Sequence, residues 1–88
     1  MGQLNATGAR FETVEQGMTS WADYRLTGDH LFIDHVESPV ALRGTGASGR
    51  LMEALATEAR DKGLKITPIC GFAAAWLKRN ADFSGLVG

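Results

Sequence analysis

The chain is poor in several features that specialised protein classes need. A single cysteine, Cys70, excludes an intramolecular disulfide and leaves no second thiol for a zinc site. A reducing, cytoplasmic setting is therefore expected. No run of about 18 apolar residues is present to span a bilayer. The first residues lack the charged and apolar regions of a secretory signal, and Ala6 stands where myristoylation wants Ser or Thr. Neither sign of charge dominates: nine Lys+Arg face ten Asp+Glu, for a formal net charge of −1. The basic excess of a nucleic-acid binder is absent. The adjacent Lys78 and Arg79 read instead as complements to a helix C-terminus. Asp23, Asp34 and Glu37 are scattered along the chain without the spacing of a divalent metal site, so no metal is expected.

What is present suits one hydrophobic core. Apolar residues make up 44% and charged residues 22% of 88 residues, the balance of a globular chain. Residues 1–9 are small and polar and read as a flexible leader, with a single domain over 10–88. Phe11 and Val14 mark a short strand ending at the turn Glu15-Gln16-Gly17. From Met18 to Leu26 the period is two, with Ser20, Ala22 and Tyr24 on one face and Trp21, Asp23 and Arg25 on the other. After the turn Thr27-Gly28-Asp29, the segment His30–Val36 resumes as a strand. There Leu31, Ile33 and His35 are expected on one side, with Phe32, Asp34 and Val36 on the other. Two hairpins make an antiparallel meander, which Ser38-Pro39 breaks because proline has no N–H to donate.

From Ser48 to Lys62 the period lengthens to that of a helix, with Leu51, Leu55 and Ala59 stacked and Met52 and Ala56 widening the stripe. Lys62 and Gly63 supply its terminating signals. Leu64–Cys70 reads as an apolar strand, so strand, helix and strand imply a parallel pair. Phe72–Lys78 forms a second helix packed through Trp76 and Leu77, and the tail is too short for a further element of consequence. The fold class is α/β (α+β): a compact mixed sheet in which an antiparallel meander precedes a parallel β-α-β unit and a C-terminal helix.

Between strand and helix lies Arg43-Gly44-Thr45-Gly46-Ala47-Ser48-Gly49-Arg50. Its glycines satisfy G-x-G-x-x-G, but the acidic residue a dinucleotide fold needs about 20 positions on is missing. The phosphate-loop pattern fails as well, since Arg50 and Leu51 replace Lys and Ser/Thr. What both motifs share survives: a glycine-permitted turn, unpaired N–H donors and a positive helix end suited to phosphate oxygens. A purely structural linker is the competing reading.

Taken in order, Val40-Ala41-Leu42-Arg43-Gly44-Thr45-Gly46 entering an amphipathic helix, then Lys65-Ile66-Thr67-Pro68-Ile69-Cys70 and an aromatic-bearing helix, resemble the acyl-CoA site of the GNAT N-acetyltransferase superfamily. The likeness is closest to its small single-domain acetyltransferases and covers about residues 10 to 86. Ser48 stands where the superfamily has Gly or Ala, and Gly71 and Asn80 replace the proline and histidine of the small subgroup. The first helices of larger relatives are missing, so the acceptor wall is open or comes from another chain.

The resemblance implies a GNAT-like fold and acetyl-CoA (coenzyme A) as cosubstrate, with transfer to an unidentified amine acceptor by a monomer or homodimer. Cofactor-binding positions carried over are Val36, Arg43, Gly44, Thr45, Gly46, Ala47, Ser48, Gly49 and Arg50. Pantetheine would lie between the splayed parallel strands. His35 is the candidate base, since histidine changes charge near neutral pH; its plain alternative is a histidine bonded to backbone. Cys70 is a candidate nucleophile forming an acyl-cysteine, against a small core residue. Tyr24 is a candidate proton donor to the leaving thiolate, against core packing. A non-catalytic CoA or acyl-CoA binding module, or an interaction domain, is the alternative to an enzyme.

Overall fold

The computed structural model describes residues 10–88, so the leader expected over 1–9 lies outside the described residues. Four strands form one sheet in the order β1-β2-β3-β4: β1 (Arg10–Glu15), β2 (Met18–Thr27), β3 (His30–Glu37) and β4 (Lys65–Pro68). The first three pair antiparallel and β4 pairs parallel with β3. The helices are α1 (Ala47–Asp61), α2 (Gly71–Arg79) and α3 (Ala81–Ser84), and a 3₁₀ turn, Val40–Leu42, follows Pro39. The expected mixed α+β architecture is therefore observed.

Local chemistry accounts for the elements. At the first hairpin both Gln16 and Gly17 have positive φ, as a two-residue loop requires if its twist is to match the strands. In β2 the alternation holds: Ser20, Ala22 and Tyr24 are buried, while Arg25 is exposed. Along α1 the residues Leu51, Met52, Leu55, Ala56 and Ala59 have no exposed surface. Each buried Leu contributes about 1.5–3 kcal/mol relative to exposure. The helix stops where Gly63, at φ 71°, donates to Arg60 O while Leu64 N–H donates to Ala59 O at 2.8 Å. These two bonds satisfy the last carbonyls, as in a Schellman motif.

One core holds side chains from all four strands and all three helices, so the helices share one face of the sheet. The other face carries Trp21, Asp23, Arg25, Phe32 and Asp34, stitched by an Arg25–Asp34 fork with both bonds at 2.9 Å and by Arg10 over the Trp21 ring. Among the described residues no helix is long and apolar enough to cross a membrane.

Within β1 Val14 is 62% exposed on the outer face, and Phe11 alone carries the core contact. Two sequence expectations change. The second parallel strand ends at Pro68 instead of running to Cys70, which is the N-cap of α2. The tail is structured: Phe83 is buried and stacks on Trp76 at 5.6 Å, and Ile66 exchanges backbone bonds with Leu86 and Gly88. Those bonds cover the far edge of β4, which an unpaired strand would leave open.

Candidate functional site

The site is built where the parallel pair separates. β3 and β4 run side by side only from His30↔Lys65 to Ile33↔Pro68. There Ile33 O accepts both Ile69 N–H at 2.9 Å and Cys70 N–H at 3.0 Å, and the chain turns into α2. β3 continues to Glu37 with β2 on one edge and, among the described residues, no strand on the other. A wedge thus opens beyond Ile33.

A bulge in β3 sits at the same level. Tyr24 pairs with Ile33, yet the next β2 residue, Asp23, pairs with His35, so Asp34 is the extra residue. The period of two breaks there, and the expected face assignment breaks with it. Val36, opposite buried Ala22, packs inward against the core with Leu31 and Ile33. His35 moves to the outer face, its side chain 55% exposed and its Nε2 2.8 Å from Glu37 Oε1. Tyr24 is buried opposite Ile33, and Cys70 packs partly buried against the same core. Tyr24, Val36 and Cys70 are therefore brought to the helix side of the fork, and His35 to the other side.

The glycine segment starts α1. Gly44 and Gly46 have φ of 82° and 88°, the left-handed region in which a Cβ is strained. Gly46 is the N-cap and no side chain caps the helix, so Ser48 does not serve as a cap. Instead Ser48 Oγ lies 2.6 Å from Ser38 Oγ, which donates to buried Ser20 at 2.9 Å. These hydroxyls tie the loop to β2. Thr45 folds back, its hydroxyl donating to Leu42 O at 2.6 Å. Among the described residues the N–H groups of Gly44, Gly46, Ala47, Ser48 and Gly49 meet no acceptor. Orphan donors at the positive end of a 15-residue helix suit an anion. Beside them lies a groove of about 330 Å³, walled by Leu42, Arg43 and Phe72.

The two flanking arginines are both engaged. Arg43 reaches Glu37 at 2.7 Å with its side chain 60% exposed. Arg50 makes a fork with Glu15 at 2.8 and 2.7 Å and also donates to Thr45 O at 3.1 Å, joining α1 to β1 and to the loop. Glu37 therefore holds both His35 and Arg43, and their hydrogen bonds, His35 first, keep its carboxyl below the usual carboxylate range. Sequence reasoning weighed Glu37 only as a metal ligand. Its position two residues from His35 on one strand face was the signal that could have paired them. The Ser20–Ser38–Ser48 chain had no such signal, since its members come from three segments.

A family model described as a GCN5-related N-acetyl-transferase matches residues 10–86. The chain belongs to the GCN5-related N-acetyltransferases. Members of this family generally use acetyl-CoA as cosubstrate and an amine as acceptor. No match was found among curated proteins. In this GCN5-related N-acetyltransferase no group of three or more His, Cys, Asp or Glu among the described residues could hold a metal ion.

Proposed function

We propose that the chain is an acetyl-CoA-dependent N-acetyltransferase in which the glycine segment binds the cosubstrate and the amine attacks directly across the fork. The observation that carries the reading is the meeting of two features: unpaired N–H donors at the start of α1, and a strand pair that separates beyond Ile33. In this reading the N–H groups of Gly44 to Gly49 hold the diphosphate. Arg43 exchanges its Glu37 partner for a phosphate oxygen, while Arg50 keeps the loop in shape. The free edge of β3 beside Val36 takes the pantetheine amides.

The acceptor amine then approaches from the sheet face without helices, where His35 stands. As the C–N bond forms and the C–S bond breaks, His35 takes the amine proton, and Glu37 stabilises the resulting imidazolium. Tyr24 is the proposed donor to the leaving sulfur. Cys70 offers a covalent variant in which the acetyl group rests on its thiol before reaching the amine. The lack of a wall over the outer face among the described residues favours a second reading, a CoA-binding module without turnover.

Thermal unfolding with and without acetyl-CoA tests the reading, with adenosine monophosphate as control. A ligand at one hundred times its Kd adds about 2.7 kcal/mol, which raises the midpoint of a domain this small by about 10 °C or more. No shift at millimolar acetyl-CoA overturns it. CoA release with an amine panel separates enzyme from binding module. Intact mass then decides the covalent variant: an added acetyl group on the wild type and none on Cys70→Ala supports it, whereas an acetylated Cys70→Ala chain sinks it.

A further inference from the structure

Ser20 and Ser38 are the buried polar residues among those described, at 1% and 5% exposure, and both belong to one chain of hydroxyls. A hydroxyl has a single hydrogen to give. Ser38 gives its own to Ser20 at 2.9 Å, so the 2.6 Å bond between Ser38 and Ser48 is donated by Ser48. The Ser20 hydrogen is then left without an acceptor among the described residues. Thr13 stands opposite Ser20 in the β1–β2 register, and its buried Oγ1 has no partner either. Orphan hydroxyls in a core lower stability, which small apolar side chains at the same positions would not do. As core packing alone, the chain is a poor choice.

What it supplies is a fixed span. Ser38 directly follows Glu37, which holds His35, and Ser48 is the second residue of α1, its own N–H one of the unpaired donors. The covalent path between them runs through a 3₁₀ turn and through Gly44 and Gly46, both at positive φ. The hydroxyl pair bridges that path directly, whereas Arg50 anchors the same helix end to β1. We infer that Ser38 and Ser48 are positioning residues. Their hydroxyl pair, backed by Ser20, holds the first turn of α1 at a set distance from the His35–Glu37 end of β3, so that one acyl-CoA molecule meets both. The inference rests on the acyl-CoA reading above. Ser38 does not line the groove beside the glycines, so it acts on a ligand there only through Ser48.

Calorimetric titration of the full chain with acetyl-CoA, beside thermal unfolding without it, tests the assignment in Ser48→Ala, Ser38→Ala and the double variant. Each single variant is expected to bind about fivefold more weakly than the wild type, the size of one neutral hydrogen bond. The double variant should fall within about twofold of either single one, because both substitutions break one link. The unliganded midpoint of Ser48→Ala should stay within about 2 °C of the wild type, since alanine is a good helix former. Ser48→Thr, which keeps the hydroxyl, should bind to within about twofold of the wild type. Wild-type affinity in Ser48→Ala overturns the inference, whatever happens to the midpoint. A loss that Ser38→Ala does not share makes Ser48 a direct contact and overturns it too, as do losses that add in the double variant. Each of these results leaves the acyl-CoA reading intact, whereas a wild type that binds no acetyl-CoA removes both.

Discussion

Up to Ile33 the sheet pairs β3 on both edges; beyond it β3 keeps only β2, and the loop that follows leaves N–H donors without acceptors among the described residues. In the first region, strand partners run from Arg10↔Asp23 to Glu15↔Met18 and from Tyr24↔Ile33 to Thr27↔His30, and Arg10–Asp23 pairs on the open face. In the second, β3 loses its β4 neighbour and five loop and helix-start N–H groups meet no acceptor among the described residues. A satisfied backbone contributes stability and little else, whereas a held but unpaired donor is a binding group awaiting its acceptor. Paired and unpaired polar groups are thus separated along one strand with Ile33 at the junction, and in the proposed reading the unpaired donors are those that take the cosubstrate.

Ile33→Ala is expected to have the largest effect, because this fully buried side chain belongs to both regions. Such truncations cost about 2–5 kcal/mol, against roughly 0.5 kcal/mol or less for Val14→Ala on the exposed face. Urea unfolding of the two variants checks the contrast, and equal losses would contradict the placement of the core.

A matched pair of glycine substitutions sharpens it further. Gly28 and Gly46 both have positive φ, so valine at either site should cost about 1–2 kcal/mol in backbone strain. Only Gly46→Val should also reduce acetyl-CoA affinity, by more than about tenfold, because the loop N–H groups would be displaced. Titration of both variants at equal temperature below their midpoints reads the difference.

The arginines divide in the same way. Arg43→Ala should weaken acetyl-CoA by about tenfold with little change in unfolding midpoint. Arg50→Ala should show the reverse, a lower midpoint with a smaller effect on affinity, because its fork with Glu15 ties α1 to β1. Glu37→Gln releases Arg43 from its intramolecular partner and should raise affinity by up to about fivefold, the range of an exposed ion pair. The same substitution should slow turnover if His35 takes the proton, which separates its two effects.

The smallest expected effect is on pH dependence. Glu37 and Glu15 are held below the ordinary carboxylate range, Glu37 by hydrogen bonds from His35 and Arg43 and Glu15 by its hydrogen bond with Arg50. A carboxyl whose pKa is depressed on folding adds stability above its unfolded pKa and loses it as pH falls through its folded value. Midpoints measured downward from about pH 5 should therefore decline, and less steeply in a Glu15→Gln, Glu37→Gln double variant. Salt should blunt the decline, since both pairs are exposed.

Where a single period governs a segment, the sequence was legible. The α1 stripe from Leu51 to Ala59, the alternation in β2 and the turns at Gly17 and Gly28 all appear where the pattern predicts them. The glycine segment was legible too, because positive φ leaves few choices of residue. Misreadings came where two elements compete for the same residues. Asp34 carries no local mark of a bulge, yet that bulge decides which face His35 occupies. Ile69 and Cys70 are apolar like the strand before them, but Pro68 brings no N–H and Ile33 O takes both of their donors. The tail looked inert because Phe83 gains its meaning only from Trp76.

By itself the sequence determined the mixed fold, the main helix, the loop that starts it and the family to which the chain belongs, because each rests on periods and residue types within short windows. Tertiary structure alone decided that Glu37 joins His35 to Arg43, that Arg50 is a strut to Glu15, and that Trp76 and Arg79 share a groove with Gly49. Those relations depend on strand register and on contacts between distant segments, which hydrophobic patterning constrains only as to face and never as to partner.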